Sequence, residues 1–138
     1  MEQKPVFRLE GVFLEKSTFE KYSTTEALAK PILSQPQISA QKLPENQVKV
    51  CLHINIFVER AMLSSTMMAQ CEFLVENLSD EQFFQFTQIN IPAIIFGFMR
   101  EHITSTFQKA GLPLFIHQPI NFIQLAEEKK KNIQSEKP

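Results

Sequence analysis

The even positions Val48, Val50, Leu52, Ile54, Ile56 and Val58 are apolar, with Lys49, Cys51, His53, Asn55 and Glu59 set against them. A period of two sends successive side chains to opposite faces, so these residues predict a strand whose even face is buried. Each buried aliphatic side chain contributes about 1.5–3 kcal/mol before chain entropy is subtracted, which makes that face a main support of a sheet. Met67, Ala69, Cys71, Phe73 and Val75 alternate with Thr66, Gln70 and Glu72. They predict a second strand, antiparallel to the first through a turn at 60–65. Upstream, Phe7, Leu9, Gly11 and Phe13 alternate with Arg8, Glu10 and Val12. This predicts a strand running toward Phe19, bulged at Gly11, where the apolar face also takes up Val12 and Leu14. Between Ser23 and Gln47 the prolines Pro31, Pro36 and Pro44 break any period, leaving the short apolar pieces Ile32-Leu33 and Ile38. That stretch reads as a long crossover with a short edge strand near Ile38, and the first half as an antiparallel meander.

Past Val75 the period changes. Ser79 and Gln82 have the spacing of a capping box and lead into Phe83, Phe84 and Phe86, which predicts a short helix. Pro92 suits the first turn of a longer one, with Ile95, Phe98, Met99, His102 and Phe107 at helical spacing, Lys109 in its last turn and Gly111 as its stop. After Leu112-Pro113, Asn121 is the expected N-cap of a last helix beginning at Phe122. Gln124 holds the box position, and Ile120 and Leu125 flank the cap as a hydrophobic staple would. Glu127-Glu128 and Lys129-Lys130-Lys131 continue that helix as a solvated polar end, and 132–138 is expected to fray. Strands followed by helices make an α+β domain, here one domain spanning 1–138 with 1–5 and 132–138 as flexible tails.

Composition changes this picture in one respect. Thirteen Phe stand beside one Tyr, no Trp and 5 Met in 138 residues. Phe and Met give apolar contact with little polar demand, and Met adapts to varied partners. A domain of this size has limited interior, so part of that surface is expected to face a second subunit or a client.

Charge is unremarkable. Fourteen Lys+Arg against 15 Asp+Glu leave a net charge of -1, which argues against a partner bound through phosphate neutralisation, nucleic acid in particular. The nearly unbroken apolar run from Ile91 to Met99 falls far short of the ~20 residues that span a bilayer, so no membrane insertion is expected. Met1-Glu2-Gln3-Lys4-Pro5 leads into no apolar run of the signal-peptide kind and carries no acylation motif, which predicts a cytoplasmic protein starting at Met1.

Catalytic equipment is not evident. The three Gly form no phosphate loop. His53, His102 and His117 fall in three different elements without metal-ligand spacing, so no metal and no cofactor is expected. His53 lies on the polar face of its strand and His102 along the apolar stripe of its helix. Cys51 and Cys71 read as buried reduced thiols rather than nucleophiles, and Glu101 beside Arg100 as helix-surface charges.

The stretch from Pro92 to Ser105, PAIIFGFMREHITS, resembles the helix of the SecB family of protein-export chaperones, in which a Pro leads into Ile/Leu-Phe-Pro-aromatic, then Arg-Glu and Ile. Leu112-Pro113 is similar to the family's Phe-Pro, and Pro119-Ile120-Asn121-Phe122 with Leu125 to its Pro-Val-Asn-Phe and following Leu. Phe7, Phe13, Phe19 and Glu20 fit the spacing of its first strand. The crossover and middle strands match in pattern alone.

The resemblance implies a four-stranded antiparallel sheet with one long and one short helix on one face, assembled as a homotetramer, a dimer of dimers. It implies an ATP-independent holdase whose clients are unfolded or nascent polypeptides, held in grooves lined by the crossover and the last helix. On that basis the candidate groove residues are Ile32, Leu33, Ile38, Leu112, Phe115, Phe122 and Leu125, each of which also fits an ordinary core position. The candidate subunit interface is Ile95, Phe98 and Met99, which fit equally well as packing on the chain's own sheet.

Gly97 stands where the family has a mid-helix Pro. Members that deliver clients to the SecA motor use acidic residues on the outer sheet face. Here Glu20 fits one such position, while Lys16 and Gln70 stand at others. The near-neutral charge and Lys-rich end also depart from the family's acidic habit, so a translocase contact rests on Glu20 alone. An antitoxin client is the second expectation the family offers. A non-enzymatic module binding one specific folded partner, and a small α+β enzyme, are the competing readings from other classes.

Overall fold

The computed structural model describes residues 6–22, 32–58, 60–113 and 115–136. Residues 1–5, the first part of the crossover including Pro31, and the last two residues lie outside that set. In chain order the strands are β1 (Phe7–Lys21), β2 (Ile32–Leu33), β3 (Gln37–Leu43), β4 (Gln47–Val58) and β5 (Ala61–Phe73). The helices are α1 (Asp80–Gln85), α2 (Ile91–Lys109) and α3 (Phe122–Glu136).

All pairings are antiparallel, in the order β1, β5, β4, with β2 and β3 following one another along the far side of β4. The sheet is therefore four strands wide, its last strand interrupted at 34–36. The expected meander is corrected to a Greek key, because β1 sits beside β5 and the crossover carries the chain to the opposite edge. The β3–β4 hairpin closes through Glu45 and Asn46, both in the left-handed region at φ 64° and 59°. They are the central residues of a turn in which Gln47 N donates to Pro44 O at 3.4 Å, within a three-residue loop from Pro44 to Asn46.

Strand β4 behaves as its alternation predicts: Val48, Val50, Leu52, Ile54 and Ile56 are at most 1% exposed. Strand β5 begins earlier than expected. Residues 61–65 are strand, not turn, since Ala61, Leu63 and Ser65 are buried while Met62 and Ser64 lie on the other face. Their alternation is masked in sequence by small polar residues. Strand β1 slips register twice against β5, between Leu9 and Gly11 and between Leu14 and Lys16. The first slip is the expected bulge. There the Phe13 ring folds over Gly11, so a Cβ at that position would come within 2.4 Å of it and turn the exposed ring aside.

One face of the sheet carries the helices. Ser79 caps α1 through the predicted box, its side chain accepting from Gln82 N while the Gln82 side chain accepts from Ser79 N. No break separates α1 from α2. One π-helical turn, Phe86–Asn90, joins them, burying Thr87 and Gln88. Such a turn supplies the local adjustment a proline demands, and Pro92 follows directly in the first turn of α2. Ile91, Ile95, Met99, Ile103 and Phe107 make the buried stripe of α2 over β4 and β5. Gly111, at φ 72°, ends it. Asn121 Oδ1 accepts from Gln124 N at 3.0 Å and starts α3, which runs on through Glu136 where fraying from Asn132 was expected.

A half-buried polar chain links sheet and helix. Ser65 Oγ, 1% exposed, lies 2.7 Å from Ser17 Oγ, which lies 2.9 Å from His102 Nε2. Burial lowers the His102 pKa below its ordinary 6.5, with Glu101 opposing it to a smaller extent and Lys109 adding to the lowering. The unfolded chain thus binds the proton first as pH falls. The stability carried by neutral His102 is complete above pH 6.5 and drains away below it, toward the lower folded value. Urea midpoints measured at about pH 7.5 and about pH 5.5 should fall on acidification, and His102→Gln should flatten that fall. An identical fall in the variant would assign it to other groups.

Candidate functional site

Where the edge strand meets α3, the chain leaves a trough of about 260 Å³. One wall is Gln35, Pro36, Gln37 and Ile38, the other Leu125, Ala126, Glu128, Lys129 and Asn132, with Gln88 of the π turn between them. This is below the ~300–1,000 Å³ of typical small-molecule pockets, and suits one or two side chains of a larger partner. Its floor is apolar and its rim is rich in carboxamides, which both donate and accept hydrogen bonds. A rim of that kind can serve the backbone of an extended chain whatever its sequence.

The expected groove residues reach this trough unequally. Ile38 and Leu125 face each other across it. Ile32 and Leu33 are 52% and 40% exposed on β2 but point to opposite faces. Leu33 pairs with the core residue Ile56 on the helix side, whereas Ile32 pairs with Phe57 on the outer side. Neighbours on a strand cannot line the same wall, and neither of the two is among the residues lining this trough. Phe122, 6% exposed, packs edge-on against Phe96 at 6.0 Å, beneath α3 rather than in the trough. Phe115 packs on Phe107 at 5.5 Å and on His117 at 6.3 Å. Leu112 packs against the core. This aromatic layer pins the loop before α3 to α2. His117, also buried, is held in it by a 2.7 Å contact from Nδ1 to Gln118 O.

Of the three expected interface residues, Ile95 and Met99 are 0% exposed against their own sheet and offer no surface to another subunit, while Phe98 is 51% exposed. The difference is helical phase, one residue turning the side chain by ~100°. On the sheet, α2 leaves the β1 side partly uncovered: Leu9 and Leu14 pair with the buried Cys71 and Met67 yet remain exposed.

The outer face is polar at its centre. His53 Nδ1 lies 2.6 Å from Thr66 Oγ1, and its Nε2 3.1 Å from Asn55 Oδ1. Glu15, at the second bulge of β1, accepts from Lys49 at 3.2 Å and from the Cys51 thiol at 3.4 Å, and these hydrogen bonds lower its pKa. Cys51 is thus not the buried thiol expected, because it occupies the odd face of β4. Partial burial and the Glu15 carboxylate raise its pKa. Cys71 is buried, and burial pushes its pKa to about 11, far from a reactive thiolate. Glu20 lies exposed on the outer face, paired with Met62, with Lys16 and Gln70 on the same face.

Sequence reasoning missed Lys129, placed with the solvated charges. Its ammonium donates to Gln88 Oε1 at 3.0 Å and to Ile38 O at 3.2 Å. The available signal was its spacing, since Phe122, Ala126 and Lys129 fall on one stripe of α3. Among the described residues no group of three or more His, Cys, Asp and Glu could hold a metal ion, and no helix is long and apolar enough to cross a membrane.

A family model described as preprotein translocase subunit SecB matches residues 1–133. The protein-export protein SecB of Magnetococcus marinus is 25% identical, the alignment covering 98% of this chain and 93% of that one. Its namesake from Rhodopseudomonas palustris is 26% identical, covering 96% and 89%. Among solved structures, the SecB-like chaperone of Mycobacterium tuberculosis, in complex with a ChAD peptide from an antitoxin, is similar with a TM-score of 0.68 at 10% identity, over 83% of this chain and 88% of that one. A likeness at such low identity speaks for the fold, and the family match runs through sheet, helices and trough alike: the chain belongs to the SecB family.

Proposed function

We propose that the protein is an ATP-independent holdase that binds unfolded or nascent polypeptides in the trough between β3 and α3. The observation that carries this is an apolar floor, Ile38 with Leu125 and Ala126, set beside a sheet edge and rimmed by amides. Such a site takes apolar side chains and main-chain groups without demanding a sequence. A single trough holds weakly once the ordering of the client is subtracted, so several must act on one chain to raise the effective concentration.

A homotetramer built as a dimer of dimers supplies those several sites. Two features support it. Within the described chain β1 pairs on one side alone, with β5, leaving a 15-residue edge open for another strand. Leu9, Leu14 and Phe98 stay exposed on the helix side, where a second sheet-and-helix layer would cover them. Clients for export and an antitoxin client are both compatible with the trough, and the cytoplasm is where either would be met. Docking on SecA would use Glu20 and the outer face, where Lys16 and Lys49 dilute the acidic character.

The test uses the full chain with a chemically denatured protein diluted from denaturant. Stoichiometric amounts should suppress its aggregation without nucleotide, and native mass spectra should give four copies, with and without one client chain. A monomer without suppression would overturn the proposal. Capture of a single folded partner in fixed stoichiometry, with no affinity for unfolded chains, would favour the dedicated interaction module instead.

A further inference from the structure

We infer that Lys129 is a positioning residue that keeps the trough narrow until a client arrives, its ammonium holding the sheet edge and the π turn to α3. This rests on the holdase function proposed above and adds a resting state to it.

Among described side chains α3 buries just Phe122 and Ala126, both in its first half. Its middle is fastened by Lys130, whose ammonium stands 5.1 Å from the Phe84 ring of α1, and by Lys129, which joins three elements at once: its own helix, Ile38 O on β3, and Gln88 Oε1 in the π turn. A second, longer contact runs the same way, Gln35 Nε2 to Glu128 Oε2 at 3.5 Å. The Ile38 carbonyl is a main-chain acceptor of an edge strand, satisfied by a side chain from the far wall rather than by another strand. An extended client pairing along β3 would compete with Lys129 for that edge.

The arrangement is costly to hold. Although the stem of Lys129 is exposed, its ammonium is turned inward, and burial lowers its pKa. Gln88 is 6% exposed, so its amide oxygen needs a partner. With the ammonium removed, that oxygen turns to water in the trough or to a client's N–H, and the tie that draws α3 toward the edge strand and the π turn is lost. Opening thus becomes easier by whatever the two charge-assisted bonds contributed, and the apparent affinity for client rises by the same factor.

The experiment compares wild type with Lys129→Met, which keeps the aliphatic stem, and Lys129→Arg, which keeps the charge. The probe is a fluorescein-labelled, reduced and carboxymethylated protein, permanently unfolded. K129M should bind about tenfold more tightly, mainly through faster association, with K129R close to wild type. Amide exchange in the second half of α3, read without client, should quicken in K129M. If Lys129 merely props the helix, K129M binds more weakly, and that result overturns the inference. Equal affinity of wild type and K129M removes the narrowed resting state but leaves the holdase standing. Binding by neither removes both.

Discussion

Phe107→Ala should lower the free energy of unfolding by about 3–5 kcal/mol, a large part of the ~5–15 kcal/mol that holds a domain of this kind together. Phe107 is 1% exposed at the end of α2. Its ring stands edge-on to Phe19 of β1 at 6.0 Å and to Phe115 of the following loop at 5.5 Å. Truncation removes the ring's burial and both aromatic contacts, and leaves a cavity among strand, helix and loop that none can fill by moving alone. Urea melts followed by circular dichroism, at one fixed protein concentration, give the value. A loss under ~1 kcal/mol would mean that the loop around Phe115 collapses into the space, and that this corner is softer than its packing suggests.

The second large effect concerns assembly. Phe98→Glu should leave the fold of one subunit intact, since the ring is 51% exposed and the core stripe of α2 passes through its neighbours Ile95 and Met99. In the proposed tetramer that ring is covered by another subunit. Losing its burial and placing a carboxylate there costs ~3 kcal/mol or more, so subunit affinity at that contact should fall by at least ~100-fold. Native mass spectrometry at low micromolar concentration should then find species smaller than the tetramer, with unchanged circular dichroism. A tetramer of undiminished stability would take Phe98 out of the contact. Holdase activity measured alongside tells whether capture needs the full assembly, because separated subunits bind a long client without the gain in effective concentration.

The fold was readable in sequence wherever one physical demand acts on a residue at a time. Strand β4 is buried on one face along its length, and its alternation shows it. The caps at Ser79 and Asn121 are local hydrogen bonds between residues three apart, and were legible for that reason. The bulge at Gly11 was visible because a glycine interrupts an alternating run there, whereas the bulge near Glu15 uses an ordinary residue and leaves no mark. The start of β5 was hidden by Ser64 and Ser65, which sit on opposite faces but look alike. The π turn could not be foreseen, since the period it breaks is carried by Phe83, Phe84 and Phe86, apolar on more than one side of the helix.

The trough was half legible. Ile38 and Leu125 could be named, but their meeting depends on how α3 lies across the sheet edge, which no local pattern encodes. Lys129 was passed over because a lysine run near a chain end is usually solvated, and its neighbour Lys131 is exposed in that manner. What set Lys129 apart was its place on the stripe shared by Phe122 and Ala126. A charged residue in phase with a buried stripe, like an apolar one out of phase such as Phe98, marks a helix with work to do beyond packing.

The Greek key also governs the order in which this chain can complete itself on the ribosome. Of the described strands β1 is made first, yet its neighbour β5 is made last, with Phe7 waiting for Phe73. At ~5–20 residues per second that interval lasts several seconds, and the loop to be closed is long. Throughout it the oldest segment, with Phe7, Phe13 and Phe19, has no strand to join. A protein proposed to shelter unfinished chains is, during its own synthesis, one of them.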